Sequence, residues 1–267
     1  MLSVPNPAPV AASVAWLSVA PVKGLRVQEV AEIQLDRHGA RGDRRFVVTD
    51  PDGHLVNGKR LGVLVQVVAE CAPPYIALTL RFPDGQVVSG EVDLGAPTAM
   101  LAYGEERAVR PVVGPWSAAL STWAGTELCL VQPVDAGDGV DRRQGGGVTL
   151  LSSASVDALA RAARLPRVDR RRFRMTVGVE GLAPFDEDAW VDRIVGIGDA
   201  SVRVNGNVGR CAVTTQHPTE GAVDLPTLHL LRELRDRVTS TEPLPFGVWG
   251  EVLQAGRVRL GDAVRVL

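Results

Sequence analysis

The sequence predicts a mostly β (α+β) fold in two domains, on three observations. Short apolar or alternating segments recur roughly every ten residues between Val14 and Val113, the spacing of a small barrel or sandwich. Turn signals such as Asp50-Pro51-Asp52-Gly53 and Pro83-Asp84-Gly85 punctuate them. Helical periodicity is confined to a few segments beyond that region, and a chain of 267 residues exceeds the usual ~100–200 residues of one domain.

In chain order, Glu32-Ile33-Gln34-Leu35, Phe46-Val47-Val48, Leu61 to Ala69 and Ile76 to Phe82 read as strands. The Pro/Gly-containing stretch from Pro111 to Pro115 is a boundary, giving domains 12–115 and 116–267. Ser117 to Leu128 reads as a short helix before a strand at Leu128 to Val131. Asp135 to Gly147, rich in Gly and Asp, reads as a loop, and Gly145-Gly146-Gly147 lacks the Lys-Ser/Thr that completes a phosphate-binding P-loop. Val148 to Leu151 is then a buried strand, with Ser152 and Ser153 as N-caps for a helix whose apolar face is Val156, Leu159, Ala160 and Ala163. A second amphipathic helix begins after Asp224, with Pro226 in its first turn and Leu228, Leu231, Leu234 and Val238 on one face. Strands return at Val252 and from Arg257 to Val266, broken at Gly261-Asp262. The helices decorate a β framework.

Composition narrows the function. Apolar residues at 45% and charged residues at 22% are ordinary globular usage. The net charge of -2, with lysine only at positions 23 and 59, lacks the clustered basic surface that phosphate backbones demand, so nucleic acid is not a partner. Cys71, Cys129 and Cys211 are widely spaced, without the Cys-x-x-Cys of a zinc site or an even set for a disulfide framework, which fits reduced thiols in the cytoplasm. The apolar run from Leu2 to Pro21 carries Pro5, Pro7 and Pro9 and no basic leader, so it reads as neither signal peptide nor span. No run of about 18 apolar residues occurs elsewhere, which argues against a membrane.

Four local features could carry chemistry. In Gly209-Arg210-Cys211 a glycine relaxes the backbone before a cysteine that enters a strand, and an adjacent guanidinium favours the thiolate needed for soft-metal ligation. The same cysteine could equally be a small core residue. Arg170 to Val177, read as a strand, sets Arg172, Arg174 and Thr176 against Phe173, Met175 and Val177. Its polar face is either a set of guanidinium forks for phosphate or carboxylate, or a solvated edge protected by charge. Asp186-Glu187-Asp188-Ala189-Trp190 is an acidic cluster suited to proton transfer, or a surface turn. Pro21-Val22-Lys23-Gly24 places a lysine beside a flexible glycine at a strand end.

In order, these pieces resemble the MOSC family, the molybdenum-cofactor sulfurase C-terminal domain, preceded by the β-barrel domain that accompanies it in the mitochondrial amidoxime-reducing component and its bacterial relatives. The resemblance covers nearly the whole chain. Ala20-Pro21-Val22-Lys23-Gly24 is similar to the family's Tyr-Pro-Val-Lys-Ser, Gly42-Asp43-Arg44-Arg45-Phe46 to Gly-Asp-Arg-x-Trp, and Asp52-Gly53 to the Asp-x-Gly turn. Leu151-Ser152-Ser153-Ala154-Ser155 is similar to Leu-Ser-x-Ala-Ser, Phe173-Arg174-Met175-Thr176 to Phe-Arg-Pro-Asn, and Glu187-Asp188-Ala189-Trp190 to Glu-Asp-x-Trp. Arg210-Cys211, Phe246-Gly247-Val248-Trp249 and Gly261-Asp262 complete the series. Three positions depart from it: Gly24 for serine, Thr176 for asparagine and Trp249 for tyrosine.

The resemblance implies a small N-terminal β-barrel domain followed by a β-barrel MOSC domain decorated with a few helices. It implies a molybdenum cofactor, a pterin dithiolene (molybdopterin), with Cys211 as the protein ligand to the metal. Lys23, Arg44, Arg174 and Arg210 would hold the phosphate and pterin edge. Ser152, Ser153 and Ser155 would add hydroxyls and free N–H groups at a helix N-terminus, where anions are favoured. Thr176 and Trp249 would line the same site, and protons would come from solvent or from an acid such as Asp188. The implied activity is an oxidoreductase reducing N-hydroxylated or N-oxidised small molecules. Because the chain ends without a cysteine-rich extension, a separate ferredoxin-and-reductase type of electron donor is required. The alternatives are a carrier of persulfide sulfur or of the cofactor, using the same thiol without a reaction of its own, and a degenerate binding module that keeps the fold but has lost the metal, to which Gly24 and Thr176 lend weight.

Overall fold

A computed structural model describes residues 12–134 and 147–267. It is β-dominated with three α-helices among those residues, as the sequence predicts. Of the expected loop at 135–147, only Gly147 lies within the described residues.

The largest sheet has eight strands in the order Gln28–Val30, Ser13–Val19, Val177–Glu180, Val148–Ser152, Val248–Gln254, Ala200–Asn207, Ile194–Ile197 and Val264–Val266. Its neighbours are antiparallel except Val148–Ser152 with Val177–Glu180, whose parallel register aligns Leu150 with Val177 and Ser152 with Val179. Parallel neighbours need a crossover, and the chain between them supplies one: helix α2, Ser153–Ala162, followed by a 3-10 turn at Arg170–Phe173. A second sheet joins Asp93–Leu94, Glu105–Val113, Cys129–Pro133, Val47–Thr49 and Leu55–Val56, with Thr98–Ala102 also paired to Glu105–Val113. Two three-stranded sheets complete the framework. The eight-strand order also turns back on itself: an antiparallel bridge joins Ser13 to Ala263, beside the last strand, and the Val264 N–H donates to Ala12 O at 2.8 Å.

Pairing and packing do not divide at residue 115. Strand Ser13–Val19 pairs with Val177–Glu180, and Glu32–Asp36 pairs with Gly256–Arg259. Val14, Leu17, Ile33 and Leu35 accordingly share a core with Leu150, Val195, Val202 and Val248. Conversely, helix α1, Trp116–Ala124, packs Trp116 and Leu120 into the core of the earlier residues, among Phe46, Leu64, Leu78 and Leu80.

Several local readings are corrected. The run after Leu61 is a 3-10 turn, Gly62–Gln66, before a short strand at Val68–Glu70. A wholly apolar run cannot by its pattern distinguish a buried turn of helix from a buried strand. Arg170–Phe173 is not a strand either: Asp169 caps it, its carboxylate accepting from the Arg171 N–H at 3.0 Å, a side-chain bond that competes with extended pairing. Arg174 then takes a left-handed conformation and the strand begins only at Val177. Helix α3 spans Thr227–Leu234, so Val238 lies beyond its end. Cys211 enters a 3-10 turn, Ala212–Thr215, rather than a strand.

Candidate functional site

The site is built from four segments that the fold brings into one contact chain. Pro21–Lys23 and Arg44–Phe46 lie side by side: the Arg44 N–H donates to Ala20 O at 2.8 Å, Phe46 N–H to Pro21 O at 3.0 Å and Lys23 N–H to Phe46 O at 2.8 Å. The buried Asp43 carboxylate accepts from the Ala20 N–H at 2.7 Å and pairs with the Arg44 guanidinium. Arg44 also donates through Nη2 to the carbonyl of Arg174 at 3.0 Å. Both arginines hold left-handed backbones, at φ 52 and 55. The next link is Arg210, whose Nη1 donates to Phe173 O at 3.0 Å, and Cys211 follows it. Lys23, Arg44, Arg174 and Cys211 thus belong to one contiguous region, although their motifs lie up to about 190 residues apart in the sequence.

Cys211 is exposed, with an extended backbone at φ -132 and ψ 177. Its carbonyl accepts from both the N–H and the hydroxyl of Thr214, each at 3.0 Å. The turn is held from below by Arg172, whose side chain is only 4% exposed and donates to Thr214 O and Gln216 O while pairing with both oxygens of Asp224. On the other flank, Val213 and Gln216 lie against Gly58, where a Cβ would stand 3.7 and 3.4 Å from their side chains. Gly58 in turn borders Gly24. Gly24 has φ +93, a region that L side chains rarely adopt, which accounts for glycine where the family pattern has serine.

The Arg210 side chain is buried and bonded within the protein. Its Nε donates to Phe246 O at 2.9 Å, Nη1 to Phe173 O at 3.0 Å, and Nη2 to Phe246 O and to the sulfur of Met175. The guanidinium stands 5.4 Å from the Phe173 ring centroid and 5.8 Å from that of Phe246, within cation–π range. Burial lowers its pKa to about 9, opposed by the charges of Cys211 and Glu187, so it remains cationic at neutral pH.

The serine turn is also committed internally. Ser152 caps α2, its hydroxyl accepting from the Ala154 N–H at 3.1 Å, a cap worth about 1 kcal/mol. The acceptor at this helix N-terminus is the chain's own: the Glu187 carboxyl accepts from the Ser152 N–H at 3.2 Å and from the Ser155 hydroxyl at 2.8 and 3.0 Å. Ser152 and Ser155 are fully buried, whereas Ser153 lines a separate cleft of about 570 Å³ with Trp16, Asp157, Arg167, Arg171 and His217; Cys211 is not among its lining residues. In the arginine tract the guanidinium of Arg170 is spent on Glu29, that of Arg171 on Asp169 and that of Arg172 on Asp224. Of the sequence-read arginines there, Arg174 alone joins the Arg44 side of the site.

Asp188, read from the sequence as a proton donor, is held by structure. Its carboxylate pairs with the buried Arg235 and accepts from Asn207 Nδ2 at 2.8 Å. Thr176 is buried, its N–H donating to the Thr149 hydroxyl at 2.9 Å and its own hydroxyl 3.2 Å from the same oxygen. Thr149 is the register partner of Trp249, and the Trp249 indole lies over Gly206, its Nε1 3.2 Å from where a Cβ would stand. Two further residues escaped the sequence reading as site members. Glu187 reaches the α2 N-terminus from 32 residues away, and only its place in the Glu-Asp-x-Trp motif hinted at it. Tyr103, an exposed hairpin-tip residue, has Lys23 Nζ 5.9 Å from its ring centroid; no local signal marks it.

Burial pushes the Glu187 carboxyl above its ordinary value near 4.5, against the opposing bonds from Ser155 and Ser152. A carboxyl that binds its proton more tightly when folded makes the folded state lose relative stability as pH rises above the unfolded value and through the folded one. Glu187→Gln should therefore remove a decline in unfolding free energy that the wild type shows on the alkaline side of about pH 4.5. Urea unfolding of both proteins across a pH series checks it; parallel curves would show that burial does not raise the Glu187 carboxyl.

The comparisons bear on the whole region. The family model of the MOSC N-terminal beta barrel domain matches residues 11–104 and that of the MOSC domain matches residues 141–265. The chain carries a MOSC domain preceded by a MOSC N-terminal beta barrel domain. Mitochondrial amidoxime-reducing component 1 of Danio rerio is 28% identical over 255 residues, covering 85% of this chain and 75% of that protein. Mitochondrial amidoxime reducing component 2 of Rattus norvegicus is 34% identical over 125 residues, 44% of this chain and 36% of that one. The alignment thus spans about a third of the rat protein's length. Among solved structures, the YuaD protein of Bacillus subtilis aligns over 96% of this MOSC chain and 95% of its own, at 12% identity and a TM-score of 0.44. Among the described residues no helix is long and apolar enough to cross a membrane.

Proposed function

We propose that this MOSC protein binds a molybdenum cofactor, with Cys211 as metal ligand, and reduces N-hydroxylated or N-oxidised small molecules. The observation that carries this reading is the exposed Cys211 thiol in one contact chain with Arg174, Arg44 and Lys23. That donor set fits the group: a soft thiolate for the metal and cations for the phosphate and pterin edge. A bound cofactor would supply the two-electron redox chemistry by which the substrate oxygen leaves as water, with two protons and with electrons from a separate donor. The chain's own part is to bind and orient. Lys23, Arg44 and Arg174 hold the anionic end, while Thr176, just before the strand Val177–Glu180, and Trp249, on Val248–Gln254, both adjoin Thr149.

Relatives named as amidoxime-reducing components favour this reaction class. We propose a separate electron-transfer partner of the ferredoxin-and-reductase type, and a cytoplasmic setting in keeping with three free cysteines. The exposure of Cys211 also suits a second reading, a persulfide or cofactor carrier.

Purification from a cofactor-producing host with molybdenum measured per chain tests the first reading. Cys211→Ala should lower bound molybdenum by more than about tenfold without loss of fold, because the side chain is exposed. A wild-type protein without molybdenum would sink the proposal. A loaded protein that fails to reduce every N-hydroxylated test compound with an artificial donor would leave the carrier.

A further inference from the structure

Arg210 adjoins the proposed ligand, yet its guanidinium faces away from solvent into the protein. Three segments converge on it: Phe173–Met175, the loop carrying Cys211, and Phe246. The backbone around it repeats the same tie. The Arg210 N–H donates to Pro243 O at 3.0 Å, the Val208 N–H to Gly247 O at 2.8 Å and the Phe246 N–H to Val208 O at 3.0 Å. The aromatic rings of Phe173 and Phe246 lie 4.8 Å apart and flank the same guanidinium.

Neither Phe173 nor Phe246 is in a regular strand, so strand pairing does not set the spacing between Arg174 and Cys211. The planar fork does: one cation bonded to the carbonyl before Arg174 and to the carbonyl of Phe246 leaves its own successor, Cys211, with little freedom of position. Lysine has the charge but a single nitrogen, which cannot reproduce this geometry.

We propose that Arg210 is a positioning residue, a buried clamp that fixes Cys211 relative to Arg174 by gripping the Phe173, Met175 and Phe246 segments, rather than a residue that touches the bound ligand. The proposal rests on the reading of Cys211 as the metal ligand, and separates charge from shape. If Arg210 served only as a cation near the thiol, R210K would restore function. As a clamp it does not.

The test uses the full chain in two states. In cofactor-free protein, R210K should accelerate amide hydrogen exchange at least about tenfold at 172–176 and 243–248, while the sheet containing Glu105–Val113 exchanges at the wild-type rate. In protein from a cofactor-producing host, R210K should lose molybdenum on dialysis about tenfold faster than wild type. M175L, which removes one acceptor at nearly constant volume, should shift both readouts in the same direction by less, and serves if R210K does not fold. Wild-type exchange at both segments in R210K and M175L would overturn the clamp. So would accelerated exchange accompanied by wild-type molybdenum retention. Absence of molybdenum from the wild type would instead sink the functional reading, with the exchange rates still deciding the clamp.

Discussion

Gly178→Ala should lower the unfolding free energy by about 3–5 kcal/mol, the range seen when a large aromatic loses its core site. Gly178 is the register partner of Trp16 on the adjacent strand, and the indole lies flat over its α-carbon. A Cβ would fall inside the ring, nearest Cδ2, Cε3 and Cε2. Backbone on both sides is fixed by sheet hydrogen bonds, so the ring must leave. Trp16 is only 3% exposed and packs with Leu151, Phe173 and Met175, while Arg170 covers its outer side at 4.8 Å. Losing it also loosens the segment that Arg210 holds. Thermal unfolding should show a fall in Tm on the order of 10 °C. The cause is checked by a cycle: in a Trp16→Leu background, adding Gly178→Ala should cost less than about 1 kcal/mol. Equal costs in both backgrounds would show that the ring is not the obstacle.

This glycine illustrates what the sequence could and could not convey. The mostly β class, α2 with its serine cap and the family motifs are legible because they depend on local pattern and local chemistry. The motifs of Arg44, Arg174, Lys23 and Cys211 are legible for the same reason, each being short and contiguous, and their segments touch in the fold. What escapes is the direction in which a side chain is used. Arg210 and Arg174 stand in equally polar words, yet the former is turned inward onto two carbonyls and a sulfur. The serine turn reads as an open anion site because Glu187, its internal occupant, comes from a distant 3-10 turn. Arg172, Arg174 and Thr176 alternate as a strand would, but the Asp169 cap and a left-handed Arg174 fold them into a turn. Those outcomes are decided by tertiary partners, which periodicity does not contain.

Asp188→Ala should destabilise the protein by about 2–4 kcal/mol, somewhat below the usual cost of breaking a fully buried pair. The partner left behind is the costly one. Arg235 has a side chain 3% exposed, whereas that of Asp188 is 24% exposed, so water can relieve part of the penalty from one side only. Arg235 also donates through Nε to Pro245 O at 3.0 Å and stands 4.4 Å from the Phe185 ring centroid, contacts that remain but do not neutralise its charge. Asp188→Asn should be nearly as damaging to stability. The amide keeps the acceptor for Asn207 but carries no charge, and its nitrogen turns a donor toward a guanidinium that has only donors. A general acid behaves differently: its removal costs about 100- to 10,000-fold in rate and need not disturb the fold. Denaturant unfolding and the proposed reduction of an N-hydroxylated compound, measured on the same two variants well below their transitions, therefore separate the roles. A lowered unfolding free energy with turnover near wild type is the expected pair of results. Unchanged stability with a rate loss of general-acid size would return Asp188 to the chemistry and leave the Arg235 pair as packing alone.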